Sequence, residues 1–235
     1  AVAFDGLAIF DTRPIAALVE TLFPERGHEL GVAWRARQFE YQWLRALAGR
    51  YANFMQVTEE ALLFAAASLH LQVSPEARDQ LLQAHLALRA WPDATESLRA
   101  LREAGMRLAF LSNMTGRMLQ AGIETAGLEG LFEEILSTDA IGTYKPDPRA
   151  YRMATDALRL ERDEVLFVAS AGWDAAGAKW FGYPTYWVNR LDLPEEAFGA
   201  SADGMGRDLR ALADFALPDR PAADRGAQER VRSRR

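Results

Sequence analysis

The sequence predicts an α/β protein with a doubly wound parallel sheet and a helical block inserted after the first strand. The chain opens on an uncharged apolar run, residues 1–4, followed at once by Asp5. Such a run is typical of a buried strand in the middle of a parallel sheet. From residue 91 onward, short apolar strands alternate with helices, which is the pattern of a parallel sheet. Residues 12–90 instead show helical spacing and no convincing strand.

Composition narrows the class of protein. The 235 residues are 49% hydrophobic, which is enough for one large domain or two unequal ones. A net charge of −6 disfavours nucleic acid and anionic membranes as partners. The chain has no cysteine, which excludes disulfides, thiol catalysis and cysteine metal sites. No apolar run is long enough to span a bilayer, so we expect a cytoplasmic enzyme.

The inserted block contains four predicted helices, at 14–23, 30–50, 58–71 and 75–88. Thr58, followed by two glutamates, predicts the start of the third, because a small polar cap followed by acids is typical of a helix N-terminus. Ser74 and Pro75 open the fourth. A block at this position in the chain covers the carboxyl edge of the sheet, so it predicts a lid.

The remaining chain supplies the rest of the core. Strands are predicted at 107–111, 134–137, 165–168, 185–188 and 204–205, with helices at 92–104, 115–126, 148–160, 174–181 and 209–215. Gly105 ends the first of these helices, as a glycine past the last turn commonly does. The predicted domains are therefore an α/β core of residues 1–11 and 91–217 and a helical cap of residues 12–90. Residues 218–235 form a basic tail that we expect to be disordered.

Polar residues follow four of the predicted strands: Asp5, then Ser112 and Asn113, then Lys145, then Ser170 and Asp174. Each alone has an ordinary explanation as a turn or capping residue. Together they indicate a site, because the carboxyl ends of parallel strands meet at one crevice. Asp5 is a candidate nucleophile, and Lys145 supplies a charge that keeps a carboxylate ionised. Ser112 and Asn113 precede a helix, whose N-terminus suits an anion.

At these residues the sequence resembles the haloacid dehalogenase superfamily and, within it, the (S)-2-haloacid dehalogenases. The resemblance covers nearly the whole chain apart from the tail. It rests in the core on Ala3-Phe4-Asp5, Leu111-Ser112-Asn113, Tyr144-Lys145-Pro146-Asp147, Tyr151 and residues 167–178. In the cap it rests on Trp34-Arg35, residues 38–41, residues 43–47 and residues 49–51. The core motifs define the superfamily, and the cap motifs are specific to the dehalogenase branch.

The resemblance implies a Rossmann-like core, a helical cap and hydrolysis of small (S)-2-haloalkanoic acids to (R)-2-hydroxy acids. Asp5 would attack carbon-2 in line and displace halide, and water would then hydrolyse the ester on Asp5. No metal or other cofactor is implied. Homodimers are frequent in the family, and the aromatic-rich cap is a candidate interface.

The resemblance also implies a role for each site residue. Arg35 and Asn113 would accept the halide, and Ser112 would hold the substrate carboxylate. Lys145 would orient Asp5, while Tyr151 and Asp174 would position Lys145 or the water. Phe54 and Trp173 would form an apolar wall, and Ser170 is counted with the substrate-binding residues.

The chain departs from the family pattern in three places. The family's Asp-x-Tyr-Gly-Thr-Leu-Phe-Asp is one residue shorter here, at residues 5–11, and lacks the tyrosine and threonine. Anchoring the alignment on the end of this loop places Phe4 at the nucleophile's position. Ala169 and Ala171 replace a serine and an asparagine, and Ala36 replaces a polar residue. Losing hydrogen-bonding groups that act together can cost orders of magnitude in rate.

Two alternatives therefore stay open. A non-catalytic homologue that binds a small carboxylate or a partner protein is consistent with the shortened loop. A magnesium-dependent phosphatase of the same superfamily is the second. That chemistry needs a second aspartate two residues after the nucleophile, and Leu7 occupies this position.

Overall fold

A computed structural model describes residues 1–217, so the predicted basic tail lies outside the described residues. Its strands are β1 (Val2–Phe4), β2 (Phe10–Asp11), β3 (Arg89–Ala90), β4 (Leu108–Ser112), β5 (Glu134–Ser137), β6 (Leu166–Ala169), β7 (Thr185–Val188) and β8 (Gly204–Gly206). Its α-helices are α1 (Gly6–Ile9), α2 (Arg13–Leu22), α3 (Gly27–Leu47), α4 (Phe54–Ser68), α5 (Pro75–Ala84), α6 (Ala94–Glu103), α7 (Gly116–Ala126), α8 (Pro148–Leu158), α9 (Gly172–Phe181) and α10 (Leu209–Ala216). Short 3₁₀ helices span Thr138–Ile141 and Arg162–Glu164.

The main sheet is parallel, with strand order β5-β4-β1-β6-β7-β8. The first strand lies inside the sheet, where Phe4 pairs with Phe110 of β4 and Val168 of β6. All three residues of β1 are fully buried, as expected for an apolar run without charge. The predicted doubly wound α/β fold is confirmed, and its helices cover both faces of the sheet.

Two separate apolar clusters cover the two faces. Alternate residues of a strand point to opposite faces, so Phe4 packs in one cluster and Ala3 in the other. The cluster with Phe4 extends into the cap, while the other contains Phe167 and Tyr183. The long apolar side chains of the core thus fix β1, and with it the residue that follows β1. No helix within residues 1–217 is long and apolar enough to cross a membrane.

A short antiparallel hairpin joins the cap to the core. β2 pairs with β3, with Phe10 opposite Ala90 and Asp11 opposite Arg89. Helices α2 to α5 lie between these strands, so the chain leaves and re-enters the core at one place. The prediction that residues 12–90 contain no strand is therefore wrong at residues 89–90, because two residues are too few to display a strand period.

The third cap helix begins earlier than predicted. α4 starts at Phe54, and the side chain of Asn53 caps it by accepting a hydrogen bond from the Gln56 N–H at 2.9 Å. Thr58 is therefore wrong as the cap. It is buried one turn inside the helix, where its hydroxyl donates to the Phe54 carbonyl at 2.7 Å and accepts from Gln38 of α3. The other predicted helices are present with shifted ends.

Candidate active site

Asp5 lies at the carboxyl end of β1, at the edge of the sheet where α3 contacts the loops through Trp43 and Gln42. Its backbone is extended, and its Oδ2 accepts a hydrogen bond from the Leu7 N–H at 3.1 Å, so Asp5 caps the single turn of α1. Phe4, the other candidate for the nucleophile's position, is fully buried within β1. The shortened loop therefore leaves Asp5 at the sheet edge.

Lys145 links two buried carboxylates. Its Nζ donates to Asp5 Oδ1 at 2.9 Å and to Asp174 Oδ2 at 2.6 Å. The lysine and Asp174 side chains are each only 1% exposed. The Tyr151 hydroxyl donates to the other Asp174 oxygen, Oδ1, at 2.7 Å. The structure thus brings together Asp5, Lys145, Asp174 and Tyr151, which come from two loops and from helices α9 and α8.

The two carboxylates of this cluster have opposite pKa shifts. Burial alone would raise the pKa of Asp5, but the Lys145 charge and hydrogen bonds from Ser170 and Leu7 more than offset it, so the pKa falls below its usual value. Burial raises the pKa of Asp174 to about 6, despite its contact with Lys145. Burial would lower the pKa of Lys145, but Asp174 and Asp5 raise it above its usual value. Asp5 is therefore the carboxylate that stays ionised.

Two serines lie beside Asp5. The Ser170 hydroxyl donates to Asp5 Oδ2 at 2.6 Å, so it contacts the candidate nucleophile. Its role in binding substrate stays a prediction. The Ser112 hydroxyl lies 3.5 Å from Asp5 Oδ1 and accepts from the Met114 N–H. The backbone approaches closely here, since a Cβ on Gly6 would lie 2.9 Å from the Ser112 oxygen. Ser170 thus provides a hydroxyl for Asp5, whose own loop, residues 5–11, lacks the threonine of the family.

The amide of Asn113 is fixed in one orientation. Its Oδ1 accepts the Lys145 backbone N–H at 2.8 Å and the Thr138 hydroxyl at 3.3 Å. The amide nitrogen therefore faces the cap, where it donates to Gln42 Oε1 at 3.3 Å. Gln42 is fully buried, and sequence reasoning missed it. The available signal was its position seven residues after Arg35, on the same side of helix α3.

Arg35 lies in the middle of α3, within electrostatic range of Asp5. Arg35 is exposed to solvent, yet the protein around its guanidinium lowers the pKa of this group, although the Asp5 charge acts in the opposite direction. The guanidinium remains charged, as arginine does in proteins. It lies over the Phe39 ring at 5.3 Å. No carboxylate within residues 1–217 forms an ion pair with Arg35, so this cation is available to an anion.

Aromatic rings from the cap and the core meet beside these groups. Trp173 packs edge-on against Phe39 and Trp43 of α3, at 5.7 and 5.6 Å between ring centroids. The Trp43 indole also donates to the Lys145 carbonyl at 3.3 Å. Sequence reasoning named Trp173 but missed its two cap partners, whose spacing of four residues places them on one helix face. Phe54 is buried in the main apolar cluster, and its role in the wall stays a prediction.

The acidic residues of the described chain do not form a metal site. Within residues 1–217, no three His, Cys, Asp or Glu side chains are grouped to hold an ion. The positive charge between Asp5 and Asp174 comes from Lys145. This arrangement suits a carboxylate nucleophile whose partner is a protein cation.

The sequence and the structure can be compared with known proteins. The family model for haloacid dehalogenase-like hydrolases matches residues 4–182. The (S)-2-haloacid dehalogenase of Pseudomonas sp. (strain YL) is 40% identical over 215 residues, which cover 91% of this chain and 93% of that protein.

Solved structures agree with this match. One L-2-haloacid dehalogenase crystal structure has a TM-score of 0.90 and 41% identity, covering 92% of this chain and 98% of that one. The enzyme from Xanthobacter autotrophicus with chloropropionic acid covalently bound has a TM-score of 0.85 and 34% identity, covering 93% and 98%. Family match, identity and fold therefore agree, and the chain belongs to the haloacid dehalogenase-like hydrolases.

Proposed function

We propose that this chain hydrolyses small (S)-2-haloalkanoic acids to (R)-2-hydroxy acids through an ester on Asp5. The observation that carries the proposal is the buried Asp5 carboxylate. The Lys145 charge keeps it ionised, the Ser170 hydroxyl donates to it, and the Arg35 cation, which has no carboxylate partner within residues 1–217, lies within electrostatic range. The relatives named (S)-2-haloacid dehalogenase, and the relative with chloropropionic acid covalently bound, support the same chemistry.

In the first step an Asp5 oxygen attacks carbon-2 of the substrate. The carbon–oxygen bond forms as the carbon–halogen bond breaks, and the halide leaves with the bonding electrons on the opposite side, which inverts carbon-2. Arg35 and the Asn113 amide are the donors that we assign to the departing halide. Ser112 and neighbouring backbone N–H groups before α7 hold the substrate carboxylate. The wall around Trp173 keeps bulk water away from the reacting atoms.

In the second step water attacks the carbonyl carbon of the Asp5 ester. Lys145 stabilises the negative charge that develops on the Asp5 oxygen. Asp174 has a pKa of about 6, so it is ionised at neutral pH and can accept the proton that the water loses. The bond between the Asp5 carbonyl carbon and the oxygen attached to carbon-2 then breaks, and the departing oxygen takes this proton from Asp174, which releases the 2-hydroxy acid. The second proton of the water passes to solvent as the Asp5 carboxylate is restored. Ala171 stands where the family has an asparagine that helps to place this water. We therefore expect ester hydrolysis, rather than halide displacement, to limit turnover.

The test is halide release from (S)-2-chloropropionate without added metal. We expect the natural chain to release chloride and form (R)-lactate, and Asp5→Asn to lose at least about a thousandfold in rate. The matched control is Asp203→Asn, which removes a carboxylate paired with Lys179 and with the Thr185 N–H far from the site. This control should retain the activity.

Both alternatives have a clear outcome in this test. If folded natural chain releases no halide from chloro-, bromo- or fluoro-acids, the dehalogenase proposal is wrong. Phosphate release with magnesium would then favour the phosphatase, although Leu7 occupies the position of its acid. If neither halide nor phosphate is released and the chain binds a small carboxylate, the result would favour the non-catalytic homologue.

We also infer that the cap is a homodimer interface. It exposes large apolar side chains on α3 and α4, namely Val32, Leu44, Leu47, Leu63 and Phe64. Sedimentation velocity should give the mass of two chains for the natural protein and one for Leu47→Glu. Leu191→Glu, which changes an exposed leucine outside the cap, should stay dimeric. A natural chain that sediments as a monomer at micromolar concentration would contradict the inference. A cytoplasmic location stays a prediction.

A further inference from the structure

Helix α1, the single turn that follows Asp5, is stabilised by hydrogen bonds from residues distant in sequence. Helix α1 has only four residues, too few to be stable alone or to pair its own last carbonyls. Three of these carbonyls accept hydrogen bonds from elsewhere. Leu7 O accepts from the Trp91 indole at 3.4 Å, Ala8 O from Arg190 Nη2 at 3.1 Å, and Ile9 O from the Trp91 backbone at 2.9 Å. Two side chains distant in sequence thus complete the turn.

Arg190 is itself rigidly held. Its two Nη atoms bind the two Asp93 oxygens, each at 2.9 Å. The ion pair is largely buried, with side chains 12% and 7% exposed. Asp93 also accepts the Leu209 N–H at 2.8 Å. The Arg190 guanidinium lies over the Trp91 ring at 4.4 Å. A fixed arginine of this kind can hold a carbonyl in place, because its planar group loses little freedom on binding.

Trp91 connects the α1 turn to the β2–β3 hairpin, where the chain enters and leaves the cap. It directly follows β3, where the chain returns from the cap. The guanidinium of Arg13, in the first turn of α2, lies over the Trp91 ring at 4.4 Å and binds Asp11 of β2. The outgoing and returning segments of the cap therefore both contact the indole that supports α1.

We propose that Trp91 and Arg190 are positioning residues, which hold the shortened α1 turn so that Asp5 at its start keeps its aim. The inference rests on the proposed function for its kinetic consequences. Neither residue lies among the groups assigned to the substrate, so their effect passes through the α1 backbone. Loss of either donor loosens the turn and weakens the hydrogen bond from the Leu7 N–H to Asp5.

The kinetic test uses Arg190→Lys, which keeps the charge but replaces the planar fork that bridges Asp93 and the Ala8 carbonyl by one nitrogen, and Trp91→Phe, which keeps an aromatic ring and removes the indole N–H. We expect the rate of halide release in a single turnover, with protein in excess, to fall about tenfold in each variant, with little change in substrate affinity. A misaimed nucleophile slows halide displacement, and a single turnover reports that step before ester hydrolysis limits the rate. The matched control is Arg107→Lys. Arg107 binds Glu133 with two nitrogens and donates to the Leu158 carbonyl, away from the site.

A second readout needs no activity. Hydrogen exchange of the peptide covering residues 5–11 should be faster in Arg190→Lys and Trp91→Phe than in Arg107→Lys, at equal global stability. A natural single-turnover rate of halide release in both variants, or unchanged exchange of this peptide, would overturn the positioning role. If the natural chain releases no halide, the proposed function is wrong. Faster exchange in the two variants would still show that Trp91 and Arg190 stabilise α1.

Discussion

At the residue scale, the central feature is one buried cation shared by two unequal carboxylates. Lys145 contacts both Asp5 and Asp174, so the cluster holds one more negative than positive charge. The extra hydrogen bonds from Ser170 and Leu7 fall on Asp5, which keeps Asp5 ionised and leaves Asp174 as the group that takes a proton first. The candidate nucleophile and the candidate base are thus distinguished by their environments rather than by residue type.

This difference predicts a pH dependence. Asp174 has a pKa of about 6, so it is protonated as pH falls through this value and can no longer accept a proton from water. We expect kcat for halide release to decline on the acidic side with an apparent pKa of about 6 or lower, because ester formation removes the Asp5 charge that contributes to raising the pKa of Asp174. Asp5 stays ionised over this range because its pKa is lowered. A pH–rate profile checks this expectation.

The control for the pH dependence is Asp174→Asn, which should remove the acidic decline and leave a low rate at every pH. A natural chain with constant kcat from pH 5 to 8 would contradict the assignment of Asp174 as base. So would an unchanged decline in the variant.

The sequence identified most of the polar residues of the cluster, because each follows a strand whose apolar pattern is visible. It could not show which neighbour each side chain meets. The contact of the Ser170 hydroxyl with Asp5 is one example, since the turn after β6 decides the direction of this side chain. Gln42 was missed because its partner, Asn113, lies 71 residues away. Such contacts depend on how the cap seats on the core.

At the element scale, the start of a helix depends on which of the nearby polar residues caps its first turn. Thr58 and the two acids after it predict a start at residue 58, whereas Asn53 and Gln56 are spaced as a cap residue and the third helical residue. The structure uses Asn53, and the burial of Thr58 between α3 and α4 explains why a polar residue occurs inside the helix.

The assignment of Asn53 as the N-terminal capping residue of α4 gives a stability prediction. Asn53→Ala removes the acceptor for the Gln56 N–H and should lower the free energy of unfolding by about 1 kcal/mol. Asn53→Ser supplies another hydroxyl acceptor and should lie within about 0.5 kcal/mol of the natural chain. Urea denaturation followed by circular dichroism measures both. Equal stability of Asn53→Ala and the natural chain would show that the side chain does not cap α4.

At the scale of the whole molecule, the cap and core are joined by a hairpin and by the aromatic contacts over the site. The alternation of strands and helices predicted the core, since that pattern depends on local burial. The β2–β3 hairpin could not be predicted, because it pairs two-residue strands separated by the entire cap. The site forms only where α3 meets the loops after β1, β4, β5 and β6.

The most direct test of this account is a single turnover of (S)-2-chloropropionate in heavy-oxygen water (H₂¹⁸O), with the protein in excess. If Asp5 forms the ester and water attacks its carbonyl, the first (R)-lactate carries the original Asp5 oxygen and is unlabelled. The heavy oxygen is then found in the peptide that contains Asp5, as read by mass spectrometry. Labelled lactate with an unlabelled Asp5 peptide would mean that water attacks carbon-2 directly, and the nucleophilic role of Asp5 would be wrong.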